Sequence, residues 1–327
     1  MAELSNQLMA ITVLAYLAAM VCYAAEYAFG TRSHIARAAT RELVGAGGPP
    51  VASSDVVASP DVVASSDVVE APRSKGNRVG QIGVGINVLA LVLHLGTLIT
   101  RSLAAERMPW GNMYEFILSV SFVGSAVWLG VLARRPGIRH LGLFVALTMV
   151  VLLGANGLIA YTPVGPLVPA LNSYWYVIHV STIILASGIL LFGAVPAALF
   201  LIKSGYDQGK RRFPYTLGKR VPAAETLERL TFRLHAFAFP LFTFGALIAG
   251  PLWAEASWGR YWGWDPKEVW AFISWIVYAG YLHARATPSV KRTTATWIAL
   301  IGFATMLMNL FGVNLFAGGL HSYANAG

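Results

Sequence analysis

The sequence predicts an all-α integral membrane protein, a bundle of about eight transmembrane helices. Three observations support this fold class. The 327 residues are 56% hydrophobic and only 12% charged, which is about half the charge of a soluble domain. Eight stretches are long and apolar enough to cross ~30 Å of hydrocarbon as helices. The lysines and arginines, finally, are divided unevenly between the two sets of loops that these helices create.

The eight predicted helices follow one another with one long interruption after the first. The chain is therefore divided into a first transmembrane helix within residues 1–29, a linker over 30–79, and a transmembrane domain over 80–327. The predicted helices cover residues 8–29, 80–100, 113–133, 140–161, 177–202, 234–252, 267–286 and 294–316.

The 30–79 segment differs in composition from the rest of the chain. It contains SSDVVASPDVVASSDVVEAP, in which Asp55, Asp61 and Asp67 open near-copies six residues apart. Small, polar and proline residues offer little to pack, so this segment is predicted to be a flexible cytoplasmic tether. A short β-solenoid is the alternative, but so few copies could not bury a core.

The positions of the cations predict the orientation. With the 30–79 segment in the cytoplasm, 20 of the 24 lysines and arginines lie on the cytoplasmic side. Both termini and the tryptophan-rich segment described next are then extracytoplasmic. The net charge of +9 is accounted for by this asymmetry, so no nucleic-acid partner is predicted. The four cations outside are Arg101, Arg107, Arg260 and Lys267.

Residues 253–270 form a predicted outer loop that holds half of the chain's ten tryptophans. Tryptophans commonly form a belt at the membrane interface, but a belt spreads them over many helix ends. Here they are concentrated beside Asp265, Lys267 and Glu268. A flat aromatic cluster with a few polar groups suits a large planar apolar ligand. The five tryptophans are Trp253, Trp258, Trp262, Trp264 and Trp270.

Two of the seven histidines lie on the same predicted side as this loop. His179 begins the fifth helix, and His321 follows the eighth. Either one alone would most often be a solvated or core-bonded histidine. Together, beside a tryptophan cluster, they could supply both axial positions of a haem iron. His94 lies within the second helix and is a further candidate, because ionisable residues at membrane depth are commonly functional.

Several segments resemble the CcsA/ResC family, called CcsB in actinobacteria, the haem-handling subunits of the system II cytochrome c synthase. WGRYWGWDPKEVWAF is similar to the family's tryptophan-rich WWD signature. The resemblance continues through PWGNMYEFILSVSF, LNSYWYVIHVS, ISWIVYAGYLHAR and NLFGVNLFAGGLHSY. It covers roughly residue 80 to the end of the chain, including a WWD loop at about residues 253–270.

The resemblance implies a role for individual residues. His179 and His321 match the axial ligands of an external haem, and His283 matches a ligand of a second, transmembrane haem. His94 and His283 are expected at different depths, so the resemblance implies that a partner subunit supplies the second ligand for His283. Asp265 would orient a ligand or the substrate, which makes it the candidate catalytic residue. The implied haem contacts also include Trp253, Trp258, Trp262 and Trp264.

The implied function is cytochrome c-type biogenesis in a bacterial cell membrane. The chain would bind haem b, take part in its export and present it to apocytochrome CxxCH motifs, as a subunit of a holocytochrome c synthase. The implied partners are a ResB-like membrane subunit, apocytochrome c and a thiol-reducing thioredoxin-like protein. Two alternatives stay open: a haem transporter or chaperone without ligation chemistry, and a b-type electron-transfer cytochrome, which would need facing histidine pairs deep in its helices.

Overall fold

The computed structural model describes residues 1–29 and 75–321, and these residues form helices joined by loops, with no β-strand among them. Most of the predicted 30–79 linker lies outside the described residues. Its last five residues are helical, because the second helix begins at Lys75 rather than at residue 80.

Ten α-helices are described, interrupted or extended by short 3₁₀ and π-helical turns. They are α1 (Ala2–Phe29), α2 (Lys75–Ala105), α3 (Met113–Arg134), α4 (Gly142–Ile159), α5 (Tyr174–Asp207), α6 (Ala224–Phe244), α7 (Gly250–Trp258), α8 (Pro266–Ala286), α9 (Arg292–Leu307) and α10 (Val313–Phe316). A π-helical turn, Gly245–Ala249, joins α6 to α7, and a second, Met308–Gly312, joins α9 to α10.

Within the described residues, seven continuous helical stretches are long and apolar enough to cross a membrane. The all-α membrane fold predicted from the sequence is thereby confirmed. The eighth predicted span is present as the 21-residue helix α8, but it is not among the seven. Its tryptophans, tyrosines, His283 and Arg285 lower its mean hydropathy. That α8 crosses the membrane stays a prediction.

Helix α5 is the centre of the bundle and the most buried of the candidate spans. It packs against α3, α6, α7 and α9, while α1 lies along α2 and α4. The crossing of α3 and α5 is close because Gly188 has no side chain. A Cβ there would come within 2.6 Å of the Cβ of Val123. Small residues commonly allow such close helix contacts in membrane proteins.

The tryptophan-rich segment differs from the single loop that the sequence predicted. Trp253 and Trp258 belong to α7, and Trp270 belongs to α8, so only residues 259–265 form a loop. The helix continues past the predicted end at residue 252 and ends where Gly259 adopts φ +69°, a left-handed conformation that glycine accepts at no steric cost. The two helices therefore hold three of the five tryptophans on rigid backbone.

Candidate functional site

A large cavity opens where the ends of α3, α5, α7, α8 and α9 meet. It contains about 1250 Å³ of space between protein atoms, part of it open to the outside. Most of its wall is apolar or aromatic. The aromatic lining residues are Trp110, Phe116, Tyr176, Phe242, Trp253, Tyr261 and Trp262, and both His179 and His321 line it as well.

His179 is fixed in orientation by the first π-helical turn. Its Nδ1 lies 2.8 Å from the carbonyl oxygen of Gly245, the first residue of that turn. The extra residue of a π turn disturbs the regular helical hydrogen bonds, and such turns are frequent at functional sites. Because the carbonyl can only accept, Nδ1 carries the proton and Nε2 carries the lone pair. Metal-binding histidines usually donate their other ring N–H to a carbonyl or carboxylate in this way.

His321 is oriented in the same way by Asp265. Its Nδ1 lies 2.8 Å from Asp265 Oδ1, so its Nε2 is again the nitrogen with the lone pair. The same carboxylate accepts the backbone N–H of Leu320 at 2.7 Å and that of Lys267 at 3.1 Å. Asp265 therefore joins the C-terminal segment to the start of α8, two regions more than fifty residues apart in sequence.

Asp265 is also the N-cap of α8. Glu268 accepts the backbone N–H of Asp265 at 3.1 Å, which completes a capping box. Burial alone would raise the pKa of the Asp265 carboxyl. The hydrogen bonds from His321 and from the amides of Lys267 and Leu320 outweigh burial, so this pKa lies below its ordinary value. The carboxylate is thus ionised at neutral pH and able to hold the imidazole.

Trp253 contacts both histidines. Its indole stacks on His179 with ring centroids 5.4 Å apart and meets His321 edge-on at 5.3 Å. The two imidazole centroids are therefore less than 11 Å apart. Trp253 donates its indole N–H to the carbonyl of Ala170 at 2.9 Å, and Trp258 contacts both Trp253 and His321. Two imidazoles and two indoles thus form one aromatic cluster at the edge of the cavity.

The cavity brings together some predicted site residues and not others. His179, His321, Trp253 and Trp262 line it, and Asp265 and Trp258 contact His321 directly. Trp264 is 67% exposed, does not line the cavity, and touches the cavity residue Trp262 edge-on.

Two other histidines lie elsewhere. His283 is exposed in the last turn of α8. His94 is fully buried in α2, where it contacts Tyr16 of α1 and Phe122 of α3. Neither lines the cavity.

One wall of the cavity depends on a buried ion cluster that the sequence analysis did not single out. Glu115 is fully buried and pairs with Arg101 at 2.9 Å and Arg107 at 2.6 Å. It also accepts the backbone N–H of Gly111 at 2.7 Å. The cluster fixes the loop that carries Trp110 into the cavity. The sequence feature that could have indicated this cluster is the pair of predicted outer arginines, Arg101 and Arg107, shortly before the glutamate of PWGNMYEF.

Two polar residues of the cavity wall were also missed as site residues. Lys267 and Asn309 both line the cavity, and Lys267 Nζ lies 3.4 Å from the carbonyl oxygen of Asn309 and 3.4 Å from Met113 Sδ. Asn309 belongs to the second π-helical turn. Both π turns therefore contribute to the cavity wall.

The fold and the site define a multi-pass helical membrane protein with an aromatic cavity and two oriented imidazoles at one end of the bundle. The chain belongs to the family described as cytochrome C assembly protein, whose pattern matches residues 110–321. This agrees with the resemblance noted in the sequence.

Individual relatives support the assignment. The cytochrome c biogenesis protein CcsA of Gloeobacter violaceus is 32% identical over 292 residues, covering 74% of this chain and 86% of that protein. CcsA of Guillardia theta is 34% identical over 267 residues, covering 76% of this chain and 87% of that protein.

A solved structure shares the fold. The cytochrome c haem lyase CcmF is matched with a TM-score of 0.59 at 16% identity, over 99% of this chain. The match covers 48% of CcmF, so the chain spans about half the length of that protein.

Proposed function

We propose that this protein binds haem in the aromatic cavity, with His179 and His321 as axial ligands, and presents it for attachment to apocytochrome c. Its place in cytochrome c biogenesis follows from its family. One observation carries the finer assignment. Two histidines from distant parts of the chain meet at one cavity, and each has its Nδ1 held by an acceptor, at 2.8 Å in both cases.

The residues present fit haem by their chemistry. In the described part of the chain no group of three or more His, Cys, Asp and Glu side chains could hold a metal ion. Two imidazoles alone make a weak site for a bare ion, but they complete the coordination of an iron whose other four nitrogens come from a porphyrin. The indoles of the cavity wall offer stacking area for the macrocycle. We take the substrate to be haem b.

The chemistry that haem supplies is the addition of a cysteine thiol to a vinyl group. The S–H bond and the π bond of the vinyl group break, a C–S bond and a C–H bond form, and no oxidant is consumed. The protein contributes position: the two imidazoles fix the iron, and the tryptophans fix the plane of the ring. Asp265 acts through His321 and is a positioning residue.

Orientation and partners belong to the same proposal. The cation asymmetry supports an extracytoplasmic site and extracytoplasmic termini in a bacterial cell membrane. His283 is exposed on α8, where a second chain could approach it. We assign it to a second haem whose other ligand comes from a ResB-like subunit. The remaining partners are apocytochrome c and a thioredoxin-like protein that keeps its thiols reduced.

A haem transporter or chaperone without ligation chemistry is the second candidate, since the same cavity would serve it. A b-type electron-transfer cytochrome has less support. In the described residues the buried His94 contacts Tyr16 and Phe122, and the buried His235 contacts Tyr278 and Tyr281. Neither faces a second histidine.

The proposal is tested by filling the cavity. Ala271 of α8 lines it, whereas Ala286 is exposed at the other end of the same helix. Ala271→Phe should reduce co-purified haem and holocytochrome c formation together, and Ala286→Phe should change neither. Normal haem content and maturation in Ala271→Phe, at wild-type protein level, would show that haem binds elsewhere.

A further inference from the structure

Lys267 places a cation in the wall of the cavity. It is the one lysine or arginine among the described residues that line it, and it lies half-buried in the first turn of α8. Within residues 1–29 and 75–321, the hydrogen-bond acceptors of its Nζ are the carbonyl of Asn309 and the sulfur of Met113, both at 3.4 Å. A thioether is a weak acceptor, and both distances are long for strong hydrogen bonds.

No carboxylate pairs with Lys267 among residues 1–29 and 75–321, since no Asp or Glu oxygen there lies within 4.0 Å of its Nζ. Asp265 and Glu268 are its neighbours in sequence, but they hydrogen-bond to His321 and to backbone amides. Asp265 attracts the ammonium through space, but a partly desolvated ammonium without a direct ion-pair contact is still costly. An anion brought by the ligand would compensate it.

The same wall contains a second donor. The indole N–H of Trp262 is buried and has no acceptor in the described part of the chain. The wall is not uniformly cationic, because Glu268 Oε1 and Asn309 Oδ1 are buried there without donors. Lys267 is thus the group that would select a negative charge. The indole N–H of Trp262 can donate a hydrogen bond to the second oxygen of the same carboxylate.

We propose that Lys267 is a carboxylate-binding subsite of the cavity, which pairs with an acidic side arm of the bound macrocycle. This subsite rests on the proposed function, under which the acidic side arm is a haem propionate. A propionate held at Lys267 would fix the rotation of the ring about its iron axis. The axial imidazoles cannot supply that information, because ligation at the centre of a ring leaves its rotation open.

The test uses a probe without iron, so that axial ligation does not contribute. The purified full-length protein in detergent micelles is titrated with metal-free protoporphyrin IX and with its dimethyl ester, and binding is followed by quenching of tryptophan fluorescence. Four proteins are compared: wild type, Lys267→Gln, Lys267→Arg and, as a matched control, Lys291→Gln, which changes an exposed lysine outside the cavity.

The measured quantity is the ratio of the two dissociation constants, because partition of the ester into micelles cancels between variants. Wild type, Lys267→Arg and Lys291→Gln should favour the free acid over the ester about tenfold more than Lys267→Gln does. An unchanged ratio in Lys267→Gln would overturn the subsite while leaving haem binding intact. Failure of the wild type to bind the free acid would also overturn the subsite, whereas failure of the wild type to bind haem itself, followed by the Soret band, would overturn the proposed function.

Discussion

Asp265 has two roles, as the cap of α8 and as the acceptor that orients His321, and replacing it with asparagine distinguishes them. Asparagine caps a helix about as well as aspartate, so α8 should keep its start. The amide has one oxygen where the carboxylate used two. It cannot accept from His321 Nδ1, Leu320 N and Lys267 N with the geometry of the wild type, at 2.8, 2.7 and 3.1 Å.

The magnitude follows from the hydrogen bonds that are lost. A hydrogen bond to a charged group contributes about 1.5–3 kcal/mol. Loss of the hydrogen bond that orients a metal-binding histidine typically lowers metal affinity about 10–100-fold. We therefore expect Asp265→Asn to weaken haem binding by that factor, in a titration followed by the Soret band. Asp207→Asn is the control, because Asp207 is an exposed carboxylate that pairs with Lys203 at the last turn of α5.

The same variant gives a pH signature. The pKa of Asp265 is lowered in the folded protein, so its stabilising effect is present above the ordinary value near 3.8 and is lost as the pH falls through the lowered one. The difference in thermal stability between wild type and Asp265→Asn should be constant from neutral pH to about pH 4 and shrink below it. Wild-type haem affinity in Asp265→Asn, or a stability difference independent of pH in acid, would refute the assigned role of this carboxylate.

Three further predictions concern topology and partners. A reporter active only in the cytoplasm, fused at Gly259, should be silent, and activity would overturn the orientation. Deletion of residues 50–72 should leave cytochrome c maturation intact, and its loss at normal protein level would make the segment a docking element. The purified chain should bind about one haem. Co-expression of a ResB-like subunit should add a second haem, and His283→Ala should abolish that second haem. Two haems in the isolated chain would contradict that.

The helices were predictable from the sequence because membrane spans depend on composition over about twenty residues. Their ends were not. The sequence analysis placed Trp253 and Trp258 in the loop after a helix that was predicted to end at residue 252, but α7 continues to Trp258. A segment that extends beyond the hydrocarbon can stay helical when its side chains pack, and Trp253 is almost completely buried.

The sequence predicted that His179 and His321 lie near each other, and both line one cavity, but it did not predict the contacts that hold them. The topology alone placed His179 and His321 on one side of the membrane. The contact of His321 with Asp265 and the π turn that orients His179 depend on packing between distant segments. The sequence analysis named Lys267 only as an outer cation beside the tryptophans, because its lack of an ion-pair contact is a property of the folded cavity.

The central claim is that His179 and His321 bind one haem iron. The most direct measurement is the absorption spectrum of haem in the protein with either histidine replaced by glycine, with and without imidazole. Each variant should lose the low-spin spectrum and cytochrome c maturation, and added imidazole should restore both in part. Trp253→Ala should lower haem occupancy without rescue, since imidazole cannot replace stacking area. Wild-type spectra and normal maturation in both His179→Gly and His321→Gly would contradict the account.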